Sequence, residues 1–313
     1  MFGIFVRIVS QVGLGLVLAP VLAGFIKKVK ARAQLRQGPS IVQPWYDLRK
    51  LFSKEMVVSQ ETSWIFKIPP YLEFGIAILL LAFIPVVSIL STKLTYGVDL
   101  IFLLYLWGLG RFFSALAGLD AGSAFGGMGG SREMTIAAMV EPGLLLALVL
   151  IGWKASSLHI SQVFQWAARD GKWFFSPAYL LTAGAFILLL IAETGRIPVD
   201  NPDTHLELTM IHEGIILEYS GPFLALINWA VMIKQYLFFA IFVNIFLPGD
   251  IFPNTSYIYT AINMALFLCK LLFLGIAVGC IESSLAKMRL LKAPRLLWGA
   301  FALGLMAALT VIF

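Results

Sequence analysis

Cysteine is nearly absent: Cys269 and Cys280 are the only thiols in 313 residues. Eleven positions apart in one apolar run, they fall roughly 16 Å apart along a helix axis. That separation excludes a disulfide between them, and the spacing matches no iron–sulfur or zinc site. Any redox centre linked to this chain belongs on another one. Charge is scarce as well. Charged residues make up 13% of the chain, about half of the ~25% usual in soluble domains. Hydrophobic residues make up 60%, and the mean hydropathy is +0.89. A soluble globule cannot hide that much apolar surface from water, so the solvent is lipid. A soluble enzyme, a nucleic-acid binder and a secreted disulfide scaffold are thereby excluded. No internal repeat is visible, which weakens an inverted-repeat transporter. The first apolar run has only Arg7 as a basic residue near its start and ends in a basic cluster, so it reads as a retained helix rather than a cleaved leader.

What is present is a series of apolar runs. A bilayer core of ~30 Å takes about 20 helical residues, and eight segments qualify: 4–26, 70–91, 98–118, 134–153, 176–193, 222–247, 257–281 and 293–312. The expected fold is an all-α polytopic membrane protein, a single transmembrane domain over 1–313. Fifteen Lys and Arg residues lie in the connections after the first, third, fifth and seventh runs or, for Arg295, just inside the run that follows, against five on the other side. The positive-inside rule then puts both termini outside and the two long polar loops, 27–69 and 194–221, in the cytoplasm.

The first of these loops is basic. Gly38-Pro39 breaks the chain, and Pro44 suits the first turn of a helix running to about Lys54. Trp45, Leu48 and Phe52 recur on one face of it, opposite Arg49, Lys50 and Lys54, which describes an amphipathic helix at the membrane surface. Contact with anionic lipid and docking of a soluble protein both fit. For docking, the candidate residues are Arg32, Arg36, Gln43 and Asp47.

The second loop is acidic, with Glu193, Asp200, Asp203, Glu207, Glu213 and Glu218 accompanied by one arginine, Arg196. Asn201 and Pro202 have the form of a cap and first turn, which predicts a helix from there to about Tyr219. Apolar residues interleave with the acids, so carboxylates are brought together away from water, where some take up protons near neutral pH. His205 and His212, two turns apart, do not make a metal pair. Within the runs, Glu141 precedes Pro142 and has no charged residue at i±3 or i±4. A carboxylate at that depth is a functional candidate by default. Glu73, Asp120, Glu193 and Glu282 fall nearer the run ends, where an interfacial role fits as well as a functional one. Arg111, Lys234 and Lys270 lie within the runs as counter-ions for buried acids. The glycine-rich stretch 121–132 lacks the ending of a phosphate loop and reads as a flexible connection, with Ser131 capping the fourth run.

Ala192 to Asp200 (A-E-x-x-R-x-P-x-D), Glu218 to Gly221 (E-Y-S-G) and Ser131-Arg132-Glu133 through Glu141 resemble the subunit 1 family of respiratory complex I. That family includes the corresponding membrane subunit of energy-converting [NiFe] hydrogenases and formate hydrogenlyase. The resemblance covers nearly the whole chain. Arg36-Gln37-Gly38-Pro39-Ser40 stands in a first loop shorter than that of complex I members, and the run Asn201 to Glu213 replaces their more acidic stretch. Both departures resemble the hydrogenase type. The resemblance implies a membrane-anchoring and coupling subunit of a [NiFe] hydrogenase complex, a non-catalytic part of an oxidoreductase in the inner membrane. The alternatives are the quinone-site subunit of a complex I-like dehydrogenase and a stand-alone transporter. It further implies that this chain binds no cofactor. The [NiFe] centre and iron–sulfur clusters would sit on hydrogenase large and small subunits and an iron–sulfur subunit, with antiporter-like subunits beside it in the membrane. Glu141, Glu193, Asp203, Glu207, Glu213 and Glu218 would belong to a proton path. Arg196, Asp200 and Tyr219 would hold structural or coupling positions.

Overall fold

A computed structural model describes residues 2–84, 98–169, 176–200, 210–247, 257–288 and 292–312. Its helices are α1 (Phe2–Ala33), α2 (Gln43–Phe52), α3 (Ile68–Phe83), α4 (Leu100–Asp120), α5 (Ala124–Ala155), α6 (Ile160–Arg169), α7 (Pro177–Glu193), α8 (His212–Ile216), α9 (Gly221–Phe246), α10 (Tyr257–Ser284) and α11 (Ala293–Ile312). Seven of the described helices are long and apolar enough to cross a membrane; the eighth expected span, α7, is a shorter apolar helix of 17 residues. The protein is an all-α multi-pass membrane protein.

The centre of the bundle is α9. A helix apolar all round has no face to show to solvent, and Gln235 through Phe246 are buried without a break. The helices α1, α2, α3, α6, α7 and α10 all pack on it. Its aromatic residues lock the core: Trp107 of α4 stacks on Phe238 with ring centroids 4.3 Å apart, and Phe186 of α7 sits among Phe238, Phe242 and Phe246.

Three elements differ from the sequence expectation. The glycine-rich stretch is helical, not a flexible connection: α5 starts at Ala124, capped by Ser123, whose hydroxyl accepts the Gly126 N–H at 3.0 Å. The glycines serve close approach between helices. A Cβ on Gly126 would strike the Gly118 carbonyl of α4, and one on Gly129 would lie 2.9 Å from the Ile215 nitrogen of α8. Ser131 is therefore inside the helix. The long acidic helix is not found either. Among the described residues α8 spans only His212–Ile216, and Asn201, Asp203, His205 and Glu207 lie outside the described residues. Finally, the connection after α5 contains α6, with Ile160, Val163, Phe164 and Ala167 buried at helical spacing.

At the end of the bundle opposite the long loops, residues 98–100 and 158–160 pair as a short antiparallel bridge. His159 is there, its Nδ1 2.6 Å from Asp99 Oδ1 and half-exposed.

Candidate functional site

The two long loops are stitched together by the E-Y-S-G stretch. Tyr219 is buried and donates its hydroxyl to the Phe66 carbonyl at 2.8 Å. Burial, with the Glu73 and Asp120 charges adding to it, pushes that hydroxyl's pKa up, so it remains a donor. The Ser220 hydroxyl both accepts the Val57 N–H and donates to the Val57 carbonyl, each at 2.9 Å. Gly221 has φ +54°, and its Cα faces the Glu55 carbonyl so closely that a side chain would have no room. Asp120 secures the same loop by accepting the Ser63 and Phe66 N–H groups at 2.8 and 3.2 Å.

The A-E-x-x-R-x-P-x-D stretch follows the end of α7. Gly195, at φ +61°, closes the helix, and the Arg196 N–H returns to the Ile191 carbonyl. The chain is then tied to neighbouring helices through its charged side chains. Arg196 is buried, donating to Glu282 of α10 at 2.9 Å and to Gln235 of α9 at 2.7 Å. Lys30 of α1 lies 3.5 Å from the same Glu282. Asp200 accepts from Lys287 at 2.9 Å. Glu282 is thus 2% exposed and faces inward.

Between these two motifs lies a cavity of about 500 Å³. Its walls come from the loop-side ends of α1, α3, α4, α5, α7 and α9, closed by α8. Carboxylates of Glu73, Glu133, Glu193, Asp200 and Glu213 line it together with Lys27, Lys30, Arg111, Arg196, Lys234 and His212. Most are held by one another. Glu193, 4% exposed at its side chain, takes Lys234 at 2.8 Å and also pairs with Arg111. Glu73 accepts from Ser114. His212 Nδ1 lies 3.4 Å from Glu133 Oε2. Burial by itself would lower the pKa of that imidazole; the charge and hydrogen bond of Glu133 outweigh it and hold it at about 9. Trp107, Gln235 and His212 also line the cavity, and their Nε1, Nε2 and Nε2 atoms respectively are buried with no hydrogen-bond partner among the described residues.

Glu141 is not the isolated buried acid that its sequence neighbours suggest. Arg111, one helix away, reaches it at 3.0 Å, and the Glu141 side chain is 48% exposed on the flank of the bundle. Arg111 therefore holds one carboxylate from the cavity, Glu193, and one from the flank, Glu141. Of the other expected path residues, Glu213 lines the cavity and Glu218 does not; Glu218 is exposed beside Val57 and Thr62, in a separate hollow of about 260 Å³. Of the cavity's titratable groups, sequence reasoning gives Glu73 and His212 no path role, whereas Glu133, eight residues before Glu141 on one helix, already suits the same path. The charges of Glu133 and His212, on α5 and α8, become neighbours only once Gly129 lets those helices touch.

The proposed docking residues lie at the same end. Arg32, Arg36 and Asp47 are exposed, and Gln43 donates to Asp47 at 3.0 Å on α2. That helix is amphipathic as expected, but its apolar face is occupied by protein: Leu48 is buried, and Trp45 and Phe52 meet Trp229 of α9 edge-on.

Comparison with known proteins agrees with this architecture. A profile of the family described as NADH dehydrogenase matches residues 6–313. Formate hydrogenlyase subunit 4 of Escherichia coli is 31% identical, with 94% of each chain covered. Hydrogenase-4 component C of the same organism is 33% identical over 95% of this chain and 93% of its own. Among solved structures, a chain of the membrane-bound sulfane sulfur reductase, an archaeal respiratory membrane complex, superposes with a TM-score of 0.86 at 22% identity, covering 98% of this chain and 99% of that one.

Proposed function

Because this chain belongs to the NADH dehydrogenase family, we propose that it is the membrane-anchoring and coupling subunit of a [NiFe] hydrogenase complex. In this reading it links electron transfer and proton reduction in a soluble arm to ion movement in the membrane. Soluble large, small and iron–sulfur subunits carry the metal centres and sit on the face bearing loops 27–69 and 194–221, which lies in the cytoplasm. Antiporter-like subunits flank the bundle, in the cell's inner membrane. The similarity to formate hydrogenlyase and hydrogenase-4 subunits over nearly full length supports the hydrogenase assignment.

One observation carries the coupling role: Arg111 bridges Glu193 in the cavity to Glu141 on the flank. An ionised side chain at membrane depth is costly unless it is paired or hydrated. A cavity of this size, walled by carboxylates and cations, has the room and the partners for several waters. Protons entering at the loop face then reach Glu193, and the exchange of Arg111 between two carboxylates carries the change in charge to the side of the bundle. Asp203 and Glu207, together with Glu213, extend the acidic entrance in this proposal.

Glu141→Gln is the test. It keeps the shape and a hydrogen-bond acceptor for Arg111 but removes the titratable group. Assembly and hydrogen evolution with an artificial donor should persist, while ion movement per hydrogen formed in vesicles falls at least severalfold. Normal coupling in that variant would remove Glu141 from the path.

A further inference from the structure

The first basic loop has the form of a prong. α1 continues past Gly24, and the chain returns along it. The Ile41 carbonyl lies against Gly24, the Lys28 ammonium donates to the Gln37 carbonyl at 2.7 Å, and Gly38, at φ +65°, rests against Ala31. From Gly24 to Ala33 the helix advances about 14 Å, so the tip stands clear of the return chain's anchor.

The tip is a Schellman turn. Leu35 N–H donates to the Arg32 carbonyl at 3.0 Å, and Arg36 N–H to the Ala31 carbonyl at 2.7 Å. This motif puts the residue after the cap in the left-handed region, where glycine is usual. Here that residue is Leu35, with φ 57°. It is also 97% exposed, the highest value for a large apolar side chain among the described residues. A leucine in this conformation meets a Cβ clash that glycine avoids, and it buries nothing against the described residues in return. Arg32 and Arg36 are exposed on either side of it.

We propose that Leu35 is the apolar anchor of this prong and enters a pocket, rimmed by Asp and Glu side chains, on a soluble protein partner. This rests on the reading of loop 27–69 as the docking face. Interfaces concentrate their affinity in a few fully desolvated anchors ringed by polar contacts, and guanidinium groups pair with carboxylates in a two-pronged geometry that fixes orientation. A lipid occupant is disfavoured by direction. The tip extends the α1 axis beyond Lys27, Lys28 and Lys30, whereas Trp45 and Phe52 of α2 turn back onto Trp229 of α9.

The test uses the whole complex, purified in mild detergent through a tag on this chain, and measures the soluble subunits retained per copy of it. L35G relieves the backbone, so the chain should melt at or above the wild-type temperature. Retention of the soluble subunits should nevertheless weaken about tenfold or more in affinity, as for loss of an interface anchor, while L35M retains them. An intact L35G complex, with R32E/R36E releasing the soluble subunits, would overturn the anchor and leave the docking face standing. Retention in both variants would overturn the two together. If wild-type retention depends on added phosphatidylglycerol, and L35G only matches the lipid-depleted wild type, the occupant is an anionic lipid and the proposal fails.

Discussion

Tyr219 lies flat on Phe66, ring centroids 4.1 Å apart, and donates its hydroxyl to the carbonyl of that same residue. The two are 153 positions apart in the chain, so this contact joins the basic loop to the acidic one above the cavity. Tyr219→Phe keeps the stack but leaves a buried carbonyl without its donor, at an expected cost of about 1–2 kcal/mol. Tyr219→Ala removes the ring too and should cost about 3–5 kcal/mol. Melting temperature in detergent and protease cleavage within 53–64 should follow that order; equal effects would mean that the hydroxyl contributes nothing.

His212 gives the site a pH signature. Its folded pKa of about 9 lies above the ordinary 6.5, so the contribution of its contact with Glu133 is full below about 6.5 and lost as pH rises through about 9. It amounts to on the order of 1–2 kcal/mol after screening. Thermal stability measured from pH 6 to pH 10 should decline across that window in the wild type, and the His212→Gln variant should lack that component. Parallel profiles would show that His212 is neutral throughout.

Arg111 tests the charged bridge from the other side. Arg111→Met leaves Glu193 and Glu141 without their shared cation, although Lys234 still holds Glu193. Removing one partner of a buried pair typically costs about 3–5 kcal/mol, and the residual Lys234 contact puts the expected loss at the lower end. Glu141→Gln, whose partner keeps Glu193, should cost under about 1 kcal/mol. Yield and melting temperature of the two purified variants distinguish them; similar losses would contradict the asymmetry in burial.

Glycines in α5 are separable by position. Gly129→Ala drives a methyl group into the backbone of α8 at 2.9 Å, whereas at Gly127 the nearest atom is Leu119 Cδ2 at 3.8 Å. The first change should destabilise by about 1–3 kcal/mol, and the second should be neutral or stabilising by about 0.5–1 kcal/mol, since alanine favours the helix. Reversal of that order in thermal melts would refute the contact between α5 and α8.

Membrane orientation is checked with single cysteines at Gln37 and Lys154, both exposed and at opposite ends of the bundle, after Cys269 and Cys280 are replaced by Ser. An impermeant thiol reagent should label Lys154→Cys from outside and Gln37→Cys only after permeabilisation. Labelling of both from one side would break the proposed topology.

The apolar runs were legible because a bilayer imposes one length on every span, and the two motif stretches because their charges stand out in an apolar chain. The pairing of Glu141 is invisible in its local sequence. Only positions i±3 and i±4 were visible as neighbours, and its cation lies 30 residues earlier on another helix. The glycines at 126–130 look like a breaker in water, yet in a bundle the lack of a side chain is what permits contact. Ile160, Val163, Phe164 and Ala167 mark α6 by helical spacing, but at 10 residues it is too short to register as a bilayer span.

The joint between α8 and α5 also has a mechanical meaning. Gly214 and Gly129 meet backbone to backbone, with no side chain between them to rotate out of the way. A cushion of leucines would absorb a displacement by changing rotamer; bare main chain transmits it. A displacement of α8 therefore passes straight into the α5 main chain at Gly129, one turn before Glu133.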